Sequence, residues 1–303
     1  MAQPSHSVAR STLYAGTWAS VLSGLCYATA VVWVRYAYLA GLTPGMAIFL
    51  RFAIASLALV LFLLLSKRWT PLSGEQARRW FLLGLVTYTG MGTGWFTALS
   101  IMPSWLVSLF VALFPLPIVV GSWLFLHEPL DRQQIGALVA VLLGGVVLFW
   151  RPLLGVTWTG VVLMLWVVAL NAVYTLVGRR CAGGARPLMI TLWTTLGAAT
   201  GTFAYATLTR QFHLDLKPIG WLWAAMFAVV STVAAIVLLW ESIERIGPAR
   251  AAIVGSLEPL FSVVLSVLVL GERVTVLQGL GGLLMVAGVL LLQMGPLGLS
   301  DVS

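Results

Sequence analysis

The sequence predicts an all-α integral membrane protein with ten transmembrane helices arranged as two inverted five-helix repeats, and three observations carry that expectation. First, 60% of the 303 residues are hydrophobic and 9% are charged, with a mean hydropathy of +1.02, whereas soluble chains carry about a quarter charged residues. Second, the low-polarity stretches, cut at charges and turn residues, leave room for about ten helices of roughly 20 residues each. Third, the chain repeats itself at an offset of 144 residues. The same composition excludes a disordered chain, a collagen-like repeat and a disulfide scaffold. Cys26 and Cys181, 155 positions apart, give no framework.

Taken in chain order, the first element follows a polar start, Met1 to Arg10. The apolar run to Trp33 is longer than a signal-peptide core of roughly 7 to 15 residues and has no small-residue cleavage site. It also carries Trp18, Tyr27 and Trp33, so it reads as a permanent helix over 14–34. Spans over 45–66, 80–100, 104–126 and 133–150 complete a first repeat, residues 1–151. Ser73 followed by Gln76 is a capping-box pair ahead of the third span. The second repeat, residues 152–303, has spans over 157–177, 187–208, 220–240, 249–270 and 275–293. No loop is long enough for a soluble domain.

The net charge of +8 reads as topology once its distribution is followed. With a cytoplasmic N-terminus, eleven basic residues lie inside: Arg10, Lys67, Arg68, Arg78, Arg79, Arg132, Arg179, Arg180, Arg186, Arg245 and Arg250. Five lie outside, Arg35, Arg151, Arg210, Lys217 and Arg273, while Arg51 falls within a span and is expected to snorkel to the nearer surface. That excess on one side follows the positive-inside rule, puts both termini in the cytoplasm and leaves nucleic acid out as a partner.

At the offset of 144, residues 113–148 fall on 257–292 without a gap, and Pro115/Pro259, Glu128/Glu272, Gln134/Gln278 and Gly144/Gly288 coincide. Leu and Val coincidences are cheap in membrane sequence; Pro, Glu and Gln ones are not. Because five spans is an odd number, the second repeat must enter the membrane inverted. Inverted repeats commonly enclose a central site near the bilayer midplane and work by alternating access.

The stretch Ala98 to Leu130, with FPLP at 114–117 and LHEPL at 126–130, and its partner IGPARAAIVGSLEPLFSVVLSVLVLGERV at 246–274, resemble the paired EamA domains of the drug/metabolite transporter superfamily. The Arg51–Phe52 and Gly271–Glu272 pairs agree with it. The resemblance implies a multi-pass carrier of the bacterial inner (plasma) membrane with both termini cytoplasmic, exporting amino acids or related metabolites; the YddG-type aromatic amino acid exporters are a neighbouring group. A lipid or nucleotide-sugar transporter of the same superfamily, and a channel or receptor, stay open as alternatives. The expected partners are a small-molecule substrate and the bilayer, with the protein a monomer or a homodimer.

Enzyme chemistry finds no support. His6, His127 and His213 lie in a tail and two loops, and HEPLD at 127–131 lacks the second histidine of a zinc motif. There is no G-x-S-x-G, P-loop or C-x-x-C, so neither metal nor cofactor is expected. Gly90, Gly92, Gly94, Gly197 and Gly201 have the spacing for close helix contact.

Three constellations are candidates for a transport site. Tyr27, Tyr88, Trp95, Trp166 and Tyr174 sit away from span ends, where an interfacial belt does not explain them, and can enclose a small organic solute or serve as packing bulk. Trp18, Trp69, Trp80, Trp105, Trp158, Trp221 and Trp223 lie near span ends and are expected in the belt. Asn171, Ser231 and Thr232 are polar groups deep in spans 6 and 8, suited to substrate contact or to interhelical hydrogen bonds. Glu258, near the middle of span 9 and next to Pro259, is a carboxyl that must be protonated, paired or at a wet cavity. Pro259 there would free the Gly255 carbonyl inside the helix.

Overall fold

The computed structural model describes residues 6–102, 104–150, 156–212, 217–271 and 275–293, and among these it is helical, without a strand. The first half contains α1 (His6–Ala28), α2 (Ala30–Leu39), α3 (Pro44–Leu65), α4 (Gly74–Ile101), α5 (Ser104–Ala112), α6 (Pro115–Leu126) and α7 (Arg132–Leu148). The second contains α8 (Trp158–Cys181), α9 (Pro187–Leu208), α10 (Pro218–Ala228), a π-helical segment (Val229–Ala234), α11 (Ala235–Gly255), α12 (Glu258–Leu270) and α13 (Val276–Gln293). Among the described residues, six stretches are long and apolar enough to cross a membrane: Ser11–Leu39, Pro44–Leu65, Leu106–Leu126, Trp158–Cys181, Pro218–Gly255 and Val276–Gln293. Apolar side chains such as Leu57, Leu61, Leu65, Leu143, Leu283 and Leu290 are exposed on the outer surface, as a lipid-facing wall requires.

Several expected spans are divided, and prolines explain two of the divisions. Segment 104–126 is split at Leu113–Phe114, where Pro115 starts α6. Segment 249–270 is split at Ser256–Leu257, where Pro259 lies in the first turn of α12. A proline has no amide to donate and its fixed φ suits a first turn, so both mark helix starts instead of interior kinks. Pro259 therefore corrects the expectation of a proline inside a continuous helix. The expected loop between 240 and 249 is helical instead, with α11 interrupted only at Gly247, whose φ of 76° and ψ of 162° suit glycine alone. The capping box at Ser73 and Gln76 is formed.

The offset of 144 recurs in the local geometry. His127 and Gly271, one offset apart, both end their helices in the left-handed conformation, with φ of 55° and 70°. One turn later Asp131 caps the Gln134 amide at 2.6 Å, and Thr275 caps the Gln278 amide at 3.3 Å. α7 and α13 then meet in an antiparallel seam. A Cβ on Gly144 would lie 2.8 Å from the Gly281 carbonyl oxygen, and one on Gly288 would lie 3.1 Å from that of Ala137. Shifting 144 and 137 by one offset gives 288 and 281, so the contact maps onto itself. Glu272, the counterpart of Glu128, lies outside the described residues.

Elsewhere α4 lies against α8 and α9, α9 also against α3, and α1 against α11. Gly197 brings α9 onto α4 so closely that a Cβ there would sit 2.0 Å from the Phe81 carbonyl oxygen. α1 is tied to α11 by Ser20 and Ser23, which donate to the Ala251 and Ala235 carbonyls at 2.8 Å each. These helices surround a core that includes Phe52, Tyr88, Tyr174 and Trp240.

Candidate functional site

The site is built from the inside of α3. Arg51 points inward: its Nε donates to Thr232 Oγ1 at 2.7 Å and its Nη2 to the Ser231 carbonyl at 3.1 Å. Both partners lie in the π segment, whose wider turn presents this carbonyl beside the Thr232 hydroxyl. Thr232 also donates to Phe227, five residues back, at 3.2 Å. The guanidinium sits over the rings of Phe52 and Phe227, 5.2 and 4.7 Å from their centroids, which holds its plane. The expectation that Arg51 snorkels to the surface is therefore corrected. The side chain is long enough to reach the π segment, and the hydrogen bonds found there replace those to water.

Facing this cation is a column of phenols. Tyr27 and Tyr88 hydroxyls are 3.3 Å apart. The Tyr88 ring meets Tyr174 edge-on at 4.9 Å and Phe52 at 5.4 Å. Tyr174, 1% exposed, accepts from Trp240 Nε1 at 2.7 Å. Glu258 completes the centre from the first turn of α12, its backbone packed against Gly24 of α1. Its carboxylate, Arg51 and Tyr27 lie within electrostatic reach of one another, yet Arg51 and Glu258 form no ion pair within 4.0 Å. Ser231 joins the cluster through Thr29 Oγ1 at 2.8 Å.

Five of the eight expected site residues are thus brought together: Tyr27, Tyr88, Tyr174, Ser231 and Glu258. Three are placed elsewhere. Trp166 is 53% exposed, and its indole lies over Gly90 and Gly94 of α4. Trp95 packs edge-on against Phe96 and lies in a separate apolar cluster with Met102, Leu106 and Met164. Asn171 is half-buried, and its backbone carbonyl accepts from Thr175.

Among the expected belt tryptophans, Trp18, Trp69, Trp158 and Trp221 are exposed. Trp80 is not: at 0% exposure its ring meets Trp240 edge-on at 4.8 Å, which corrects its assignment to the belt. Its position near a span end gives depth but not direction, and the ring turns into the bundle. Trp223 is half-buried and stacks on Trp33 and Tyr36 between α2 and α10. The Trp105 side chain lies outside the described residues. Arg51 and Trp240 are the members of the centre that the sequence reading did not assign to it.

An arginine has five N–H donors. Two are occupied by the π segment, so the others remain for a ligand, beside phenol hydroxyls and one carboxyl. Such a centre can bind a small solute carrying both an anionic and a cationic group, with aromatic walls for its apolar part. Among the described residues no group of three or more metal-ligating side chains occurs.

The fold is that of a polytopic helical membrane protein, and its family is one of transporters. The chain belongs to the EamA-like transporter family, whose family model matches residues 14–150 and again 158–294. The uncharacterized transporter YcbK of Bacillus subtilis (strain 168) is 26% identical over 298 residues, covering 88% of this chain and 89% of that one. A solved crystal structure is similar in fold with a TM-score of 0.75 at 18% identity, over 92% of this chain and 96% of that chain.

Proposed function

We propose that the protein is a secondary carrier that moves amino acids or closely related zwitterions across the inner (plasma) membrane by alternating access, in the outward direction. The observation that carries this reading is the juxtaposition of the Arg51 guanidinium and the Glu258 carboxyl, which lie within electrostatic reach of each other without forming an ion pair. A buried, hydrogen-bonded arginine left with free donors favours a carboxylate, and the acidic side chain beside it favours an ammonium group. The phenols of Tyr27 and Tyr88 would supply neutral hydrogen bonds between them.

In this reading ten spans form two inverted five-helix repeats, 1–151 and 152–303, with both termini cytoplasmic. The self-mapping α7–α13 seam and the matched helix ends at 127 and 271 support the repeat. Rocking of one repeat against the other would expose the centre to either side in turn. The chain acts as a carrier and not as an enzyme. A lipid or nucleotide-sugar substrate fits less well, because Arg51 is a single cation and a diphosphate calls for a cluster of them.

The reading is tested by thermal-shift binding with purified protein in detergent. L-Amino acids should stabilise it, while their amide and N-acetyl derivatives, each lacking one charge, should not. Stabilisation by nucleosides or lipids alone would contradict the proposal.

A further inference from the structure

A cavity of about 130 Å³ lies apart from the Arg51 centre, where α8 turns through residues 182–186 into α9. Pro187, Ile190, Trp240 and Ile243 contribute apolar wall, and the half-buried Arg179 and exposed Glu244 contribute opposite charges. Three charged residues nearby are engaged. Arg180 donates to the Phe125 carbonyl, Arg245 pairs with Glu241, and Arg250 pairs with Asp131. Arg179 and Glu244 enter no ion pair among the described residues, not even with each other. From another element, Glu128 in the loop after α6 lies within electrostatic reach of Arg179. Two opposite charges held at one cavity without closing leave space for a ligand that carries both.

The cavity is also connected to the centre. Trp240 forms part of its wall and donates through Nε1 to Tyr174, whose ring meets Tyr88, which in turn reaches Tyr27 beside Arg51 and Glu258. The indole therefore has the cavity on one side and the phenol column on the other.

We propose that this cavity is a second, peripheral binding site for the transported solute, a docking vestibule on the cytoplasmic side. It takes a zwitterionic amino acid with an apolar side chain. Arg179 binds the carboxylate, Glu244 binds the ammonium group, and the side chain lies on Trp240, Ile190 and Ile243. The assignment rests on the carrier reading above, since it names where that carrier first receives its substrate.

The test places a thiol at the cavity by Ala182→Cys, in a chain carrying Cys26→Ser and Cys181→Ser, and follows its alkylation by a maleimide in purified, detergent-solubilised protein. The probes are L-leucine, L-methionine and L-phenylalanine, with L-leucinamide and N-acetyl-L-leucine as single-charge controls. A bound zwitterion should slow labelling by 1 + [L]/Kd, roughly threefold at twice its Kd. Neither control should do so. Arg179→Gln and Glu244→Gln should each remove the protection while eluting as the same monodisperse species. Tyr88→Ala and Glu258→Gln, which alter the centre, should leave it. Protection by the controls, protection that survives both vestibule variants, or protection lost in the centre variants would each overturn the proposal. Counterflow of the same amino acids by the unsubstituted protein is measured alongside. Counterflow without protection removes the vestibule and keeps the carrier; protection without counterflow removes the carrier and with it the vestibule role, leaving a ligand site of another kind; the absence of both removes both.

Discussion

Arg51 is held by two of its donors and by two aromatic rings, so its orientation as well as its charge enters any contact with substrate. Arg51→Lys keeps the charge and loses the planar fork. We expect apparent affinity for a zwitterion to fall roughly 100-fold, on the order of 2–3 kcal/mol, at unchanged membrane abundance. An unaltered KM would remove Arg51 from the site. The aromatics divide by direction. Tyr88→Ala should abolish transport, whereas Trp166→Ala should behave like Trp221→Ala and leave it near normal, because both tryptophans are exposed and neither joins the phenol column. Glu128 lies outside the spans, and burial raises its carboxyl above the ordinary 4.5, opposed by Arg179. A raised folded-state value contributes stability below the unfolded value and loses it as pH climbs through the folded value. Glu128→Gln should therefore melt higher than the parent at about pH 8, relative to their difference at about pH 4. The opposite trend would show that the Arg179 attraction dominates. These residues also mark what could be read from sequence. Hydropathy places Tyr27, Tyr88, Tyr174 and Glu258 away from span ends, and that much was legible. It does not report which face of a helix a side chain occupies, so Trp166 and Trp95 looked the same as Tyr88, and Trp80 looked like a belt residue.

At the scale of elements, the breaks position the centre. Glu258 faces it because α12 begins there, and α12 begins there because Pro259 favours a first turn. That signal was present in the sequence, as was the Ser73–Gln76 cap. The π segment Val229–Ala234 had no such mark, since its residues fit an α-helix equally well and its identity comes from packing and from Arg51. The seam between α7 and α13 gives a test of opposite signs. A Cβ at Gly281 would lie 2.3 Å from the Leu148 amide nitrogen, while one at Gly279 meets nothing within 4 Å. Gly281→Ala should therefore lower stability by about 1–3 kcal/mol through overpacking. Gly279→Ala should raise it by up to about 1 kcal/mol through helix propensity. Equal melting temperatures for the two would contradict the close seam.

At the scale of the molecule, the proposed topology rests on the eleven-to-five distribution of basic residues and on ten spans, and it expects the 182–186 turn in the cytoplasm and the start of α10 outside. In intact cells carrying Cys26→Ser and Cys181→Ser, an impermeant maleimide should label Lys217→Cys and spare Gly183→Cys. The reverse pattern would invert the topology and with it the direction of transport. The central claim, a carrier that recognises a zwitterion between Arg51 and Glu258, is tested most directly by counterflow. Proteoliposomes are loaded with the unlabelled L-amino acid that gives the largest thermal shift and diluted into a trace of the same compound carrying a radiolabel. Transient accumulation of label above its equilibrium level is expected, which unlabelled L-leucinamide and N-acetyl-L-leucine inside the vesicle cannot drive and which Arg51→Lys and Glu258→Gln both lose. Label that only equilibrates, or accumulation that both variants retain, would contradict that claim.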